Sequence, residues 1–148
     1  QNAALILAGL ILGSKRGGYV GLLFLFLGLA LPVLAGGGTT LRALAGPTAG
    51  YIIGYVLSPA VAGAIAYRSP KNKGGMAVML AIAAVAGLAV QYICGAFGLM
   101  IRSGLEIGPA FAAQLPFIPV DAGKLVVAVI IALGVHSAFP DLMGRKAA

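Results

Sequence analysis

Asp121 and Lys124 are the residues of this chain best suited to chemistry. They stand three positions apart at the start of an apolar run, so on a helix both side chains lie on one face. Ala128, Ala132 and His136 continue that face, which marks it as a stripe turned toward other helices. An Asp carboxylate only accepts hydrogen bonds and suits the N–H groups of a urea, amide or amine. A Lys ammonium donates and carries charge, and suits a carbonyl or carboxylate. A solute with both N–H donors and an acid group would match the pair. A charge inside a membrane costs about 2.5–3.5 kcal/mol even on lenient scales, so such residues usually have partners or a function. A salt bridge that tidies a helix start, with Asp121 favoured by the helix dipole, accounts for the same two residues. On these residues alone both readings stay open.

The rest of the catalytic inventory is poor. The 148 residues hold one His, one Cys and three acidic side chains. His136 has no second ligand at metal-site spacing and reads as an interfacial histidine. Cys94 lies inside an apolar run; as the single cysteine it forms no internal disulfide, and it reads as a small buried hydrophobe. Nothing in the spacing sets a common geometry for Glu106 and Asp121 as paired carboxylates. The glycines at 36–38 are not a phosphate loop, because the helix after them lacks the G-K-[ST] ending. No metal and no cofactor is called for, and binding suits the inventory better than catalysis. Two further segments could close a site around the pair. One is Gly36, Gly37 and Gly38 with Thr39 and Thr40, whose backbone can approach a ligand closely. The other is the Gly46-Pro47-Thr48 helix start, which presents free N–H groups, although Thr48 also reads as a helix cap.

These residues must be positioned by an apolar scaffold. The chain is 61% hydrophobic and only 9% charged, with a mean hydropathy of +1.06. A soluble domain carries about 25% charged residues, so lipid is the expected solvent. With 23 glycines against 6 phenylalanines, close helix approach is favoured over a core of bulky side chains. The net charge of +7 does not point to nucleic acid, because the basic residues sit between apolar runs and are not interleaved with aromatics.

Five apolar segments predict helices over 3–13, 17–35, 46–67, 74–101 and 119–138, in a single transmembrane domain covering 1–148. The longer runs are about twice the length of a barrel strand, which makes the fold class an all-α, polytopic membrane helix bundle. The first segment is shorter than the ~20 residues a crossing helix needs, so it is either a partial helix or a short one packed inside the bundle. The chain is apolar almost from Gln1, without a basic n-region and cleavage site, and reads as lacking its natural N-terminus. Gly46, Gly50, Gly54, Ser58, Ala62 and Ala66 form a stripe of small residues, as do Ala83, Gly87, Gln91 and Gly95, so Gln91 is expected to point into the bundle. Pro47 suits a first helical turn, and Pro59 should kink its helix.

Charge alternates between the connections. Lys15 and Arg16, then Arg68, Lys71 and Lys73, then Arg145 and Lys146 fall on one side if every segment crosses; the opposite side has Arg42, Arg102 and Glu106. The positive-inside rule then makes 14–16, 68–73 and the C-terminus cytoplasmic and turns 36–45 and 102–118 outward.

The motifs resemble, in order, those of the BioY family, the biotin-specific substrate-binding subunits of energy-coupling-factor transporters. QNAALILAGLILGSKRGG is similar to the family's stretch of Gln, an apolar run, AG, LG and a basic pair with Gly. LALPVLAGG resembles GLPVFAGG, GPTAGYIIGY resembles GPTGGYLIGF, and PFIPVDAGK resembles PF-x-P-G-D-x-x-K. The resemblance covers nearly the whole chain. It implies a six-helix fold whose first helix is missing here. It also implies a high-affinity, outward-facing biotin site in a prokaryotic plasma membrane. Energy would come from two ATP-binding-cassette ATPases acting through a membrane coupling subunit, with no enzymatic activity and no cofactor in this chain. By the family pattern Asp121 and Lys124 are binding residues. The loop around Gly38, the Gly46–Gly50–Tyr51 start, Gln1 and Tyr92 match further site positions. Some members carry Asn in the glycine loop, where this chain has Gly38, and some carry Arg just after GGY, where it has Ile52; Arg42 is a candidate for the missing cation. A binding subunit for another vitamin and a structural membrane subunit without ligand are the competing readings.

Overall fold

The computed structural model describes residues 2–32, 39–46, 49–70 and 72–139. Among them are seven α-helices and no strand: α1 (Asn2–Leu12), α2 (Ser14–Ala30), α3 (Thr40–Ala45), α4 (Ala49–Ala66), α5 (Lys73–Ser103), α6 (Ile107–Ala112) and α7 (Ile118–Ala138), with a 3-10 turn at Leu115–Phe117 before α7. The all-α membrane bundle expected from composition is the fold observed. The spans Ala49–Ala66, Lys73–Ser103 and Ile107–Ala138 are long and apolar enough to cross a bilayer. α2, with 17 residues, is at the short end of that range.

Differences from the expected boundaries have local causes. α2 runs over Ser14–Ala30 rather than 17–35. Gly13 alone turns the chain, at φ 93, a region that side chains rarely adopt. Lys15 and Arg16 therefore sit in the first turn of α2 and not in a loop. At the other end Leu31 is extended, because the residue before a proline, here Pro32, is pushed out of the helical region. The apolar run continues to Ala35, and hydropathy does not register that stop. Gly46 does not begin α4: its N–H bonds to the Ala43 carbonyl at 3.2 Å and closes α3. The helices α3 and α6, inside the two connections expected to be loops, are too short for periodicity to reveal.

Small residues set how the helices meet. Gly50, Gly54, Ser58, Ala62 and Ala66 are buried on α4, and Ala83, Gly87, Gln91 and Gly95 on α5, as the stripes predicted. A Cβ on Gly50 would overlap the Cys94 carbonyl and lie 2.8 Å from the Gly98 Cα, so the two backbones touch. Gly9 and Gly17 meet across the α1–α2 hairpin, where a Cβ on Gly17 would lie 2.8 Å from the Gly9 Cα. Both pack on the Pro59 carbonyl of α4. Pro59 also lacks the N–H that would bond to the Tyr55 carbonyl, and Gly21 of α2 approaches that oxygen. Large apolar side chains such as Phe26, Ile82, Val85, Phe97, Val126 and Ile130 are exposed, as a lipid-facing surface requires. An open apolar groove on α2, lined by Leu22, Leu25, Phe26, Leu29 and Thr40, belongs to this surface.

The short first helix is packed inside the bundle, with Ile6 and Leu10 fully buried. Its last turn leaves carbonyls without helical donors. Two side chains supply them: His136 Nε2 donates to Leu10 O at 2.8 Å, and Tyr67 Oη donates to Ile11 O. His136 is 1% exposed, so it is a buried cap and not an interfacial residue. The contact of Gly63 with Gly13 and Ser14 gathers the end of α4 with the α1–α2 turn, and His136 brings in the end of α7. Lys15, Arg16 and Arg68 therefore share one end of the bundle. Arg102, whose Nη2 donates to Leu44 O at 2.8 Å, lies with α3 and the start of α4 at the other. Lys71, Arg145 and Lys146 lie outside the described residues.

Gly50→Ala should destabilise the detergent-solubilised protein by about 1–3 kcal/mol, the range for overpacking. Gly134→Ala, with nothing within 4 Å of an added Cβ, should instead leave the thermal midpoint unchanged or raise it. Equal midpoints for both variants would contradict backbone contact between α4 and α5.

Candidate functional site

The end of the bundle away from Lys15 and Arg16 holds the polar cluster. The 3-10 turn carries Pro116, and Pro119 occupies the first turn of α7, where a missing N–H costs little. That rigid entry delivers Asp121 in the first turn, where the helix dipole favours negative charge. Asp121 is 6% exposed. Tyr92 of α5 donates its hydroxyl to Asp121 Oδ2. On the other oxygen, Lys124 Nζ stands 4.0 Å from Oδ1, with 49% of its side chain exposed. The two residues do not share one buried face as expected. The buried stripe of α7 is Asp121, Leu125, Ala128, Ala132 and His136, and Lys124 stands at its edge. A three-residue step along a helix turns through about 300°, leaving room for this split.

Tyr51 of α4 completes the cluster. Its ring lies on the backbone of α5 at Gly95, where any Cβ would overlap it. Gly95 lies one turn along α5 from Tyr92, which brings the Tyr51 ring to that part of the helix. One turn along, Gln91 is 2% exposed and its Oε1 has no hydrogen-bond partner among the described residues. Gln114, also 2% exposed, donates from Nε2 to the Tyr92 carbonyl at 2.9 Å. The site thus draws on α4, α5, the turn after α6, and α7.

Other expected site residues have structural work. Thr39 Oγ1 accepts from the Arg42 N–H at 3.3 Å and caps α3. Thr40 Oγ1 donates to Leu25 O at 2.7 Å and ties α3 to α2. The Arg42 side chain is exposed on α3. Gly46 closes α3, and Gly50 is filled by the α5 backbone. Gln1, Gly37, Gly38, Pro47 and Thr48 lie outside the described residues. Sequence reasoning passed over Gln114; its signal was a lone amide in the apolar run FAAQLPF. Among the described residues there is no group of three His, Cys, Asp or Glu able to hold a metal. What the cluster offers is a buried acceptor, two phenols and a half-exposed cation at its rim, a set suited to holding a polar solute.

A profile of the BioY family matches residues 1–141. The chain belongs to the BioY family. It is 33% identical to the biotin transporter BioY of Rhizobium etli over 98% of this chain and 80% of that one. With the biotin transporter BioY of Thermotoga maritima it shares 36% identity over 86% of this chain and 73% of the relative. Among solved structures it is similar to the S-component for biotin from an ECF-type ABC transporter, with a TM-score of 0.78 and 28% identity over 92% of this chain and 73% of that one. The BioY fold thus accounts for the bundle seen here.

Tyr92→Phe should remove one donor from the buried carboxylate. A hydrogen bond to a charged group contributes about 1.5–3 kcal/mol, so the ligand-free protein should unfold at a clearly lower temperature in detergent. An unchanged midpoint would show that the Tyr92 hydroxyl does not support Asp121.

Proposed function

We propose that this chain is the biotin-binding membrane subunit of an ECF-type vitamin uptake transporter and catalyses no reaction. The observation that carries the reading is a buried carboxylate, Asp121, held by Tyr92 with Lys124 at its rim, in a chain whose relatives are named biotin transporters. Biotin has ureido N–H groups and a carboxylate. Asp121, an acceptor only, takes the N–H side, and Lys124, a partly exposed cation able to swing, takes the acid. Tyr51 and Tyr92 supply apolar ring faces with polar tips beside them. The reading of an anchor in which Asp121 and Lys124 only pair with each other is disfavoured. Their separation is 4.0 Å, and the close partner of the carboxylate is Tyr92.

The same reading places the protein in a prokaryotic plasma membrane as a multi-pass subunit. The end carrying Lys15, Arg16 and Arg68 is cytoplasmic and the Asp121 end faces outward. Two ATP-binding-cassette ATPases and a membrane coupling subunit would drive uptake, in keeping with the similarity to a component of an ECF-type ABC transporter.

Equilibrium binding of labelled biotin in detergent, with unlabelled biotin, thiamine and riboflavin as competitors, tests this directly. Saturable binding displaced by biotin alone is expected; displacement by another vitamin would reassign the ligand. Asp121→Asn should weaken binding roughly tenfold or more, because it removes the charged acceptor for an N–H donor. Unchanged affinity in that variant would remove Asp121 from the site.

A further inference from the structure

The chain between α5 and α7 is held to the bundle at few points. Gly104, at φ 68, ends α5 in the left-handed conformation. From there to Phe117 every residue is exposed except Ala110 and Gln114. Ala110 is fully buried, where α6 packs on α5, and Gln114 is 2% exposed. Pro109 and Pro116 stiffen the segment.

Gln114 donates to the main-chain carbonyl of Tyr92, the residue whose hydroxyl bonds to Asp121. A carbonyl only accepts, so the amide nitrogen must face it. The two ends of Tyr92 are therefore joined to the two ends of the path entering α7: the carbonyl to Gln114, the hydroxyl to Asp121. We infer that Gln114 is a positioning residue, whose amide fastens the segment 104–117 to the Tyr92 turn of α5 and so sets where α7 delivers the Asp121 carboxylate. As far as it concerns ligand binding, this rests on the biotin reading above. Gln114 holds the first turn of α7 in register with α5, and it retains the 104–117 segment beside the site.

The test uses a thiol reporter at Ala110→Cys in a Cys94→Ala background, with and without Gln114→Met, which keeps the shape but loses the amide. Gln114→Leu is a second variant with no donor for the carbonyl. Losing one hydrogen bond of ordinary strength should speed labelling by about five- to tenfold in both. Biotin should dissociate faster by a similar factor of about five- to tenfold, with association little changed, because interface changes act mainly on the off-rate. With Gln114 intact, Ala110→Cys should label far more slowly than the exposed Ala112→Cys. Equal rates at 110 and 112, or no acceleration in either Gln114 variant, would overturn the tether, whether or not the protein binds biotin. Accelerated labelling with an unchanged biotin off-rate would overturn the link to Asp121. A parent protein that does not bind biotin would refute the proposed function, while the labelling comparison would still decide the tether.

Discussion

Backbone contact between α4 and α5 is the constraint on which the rest of the structure depends. Lipid supplies no hydrophobic drive for one helix to meet another, so the helices associate by close packing and by hydrogen bonds across the interface. Glycine at 50, 98 and 95 permits that approach, and a side chain at any of them would overlap its neighbour. The approach does more than hold two helices. It also lays the Tyr51 ring on the Gly95 backbone, one turn from Tyr92, so the same glycines that pack the bundle fix one side of the candidate site.

The two ends of the bundle solve one problem in different ways. A polar group buried in an apolar interior is costly unless it finds a partner. At one end the open carbonyls of α1 are met by His136 and Tyr67, which cap the helix. At the other end Asp121 is buried with a phenol on one oxygen and a distant ammonium near the other, which leaves acceptor capacity unused. Buried polar atoms without a partner among the described residues occur toward both ends, Nδ1 of His136 at the first and the amide oxygens of Gln91 and Gln114 toward the second. In the proposed function, the ureido N–H groups of the ligand would fill the acceptor capacity left on Asp121.

In the proposed site, hydrogen bonding would account for selectivity. A site that offers buried acceptors discriminates against solutes unable to donate to them, because an unpaired acceptor is left behind. An exposed lysine at the rim contributes less to that discrimination, since its charge is screened and its chain mobile. In the proposed site Asp121, fixed by Tyr92 and by the proline-stiffened entry to α7, would be the more demanding of the two contacts.

By itself, the sequence determined what composition and short-range order encode. Its apolarity specified a membrane bundle, the small-residue stripes named the buried faces of α4 and α5, and Asp121 stood out because a carboxylate in an apolar run has few reasons to be there. These are local properties: residue type, helical spacing and ordered motifs. Only the tertiary structure decided that Lys124 stands at the rim, that Thr39 and Gly50 serve caps and packing, that His136 closes α1, and that Gln114 reaches Tyr92. Each of those depends on which helix lies opposite and at what rotation. Where nearly every position is apolar, periodicity carries no record of that partner; the orientation is set by backbone contacts between glycines far apart in the chain.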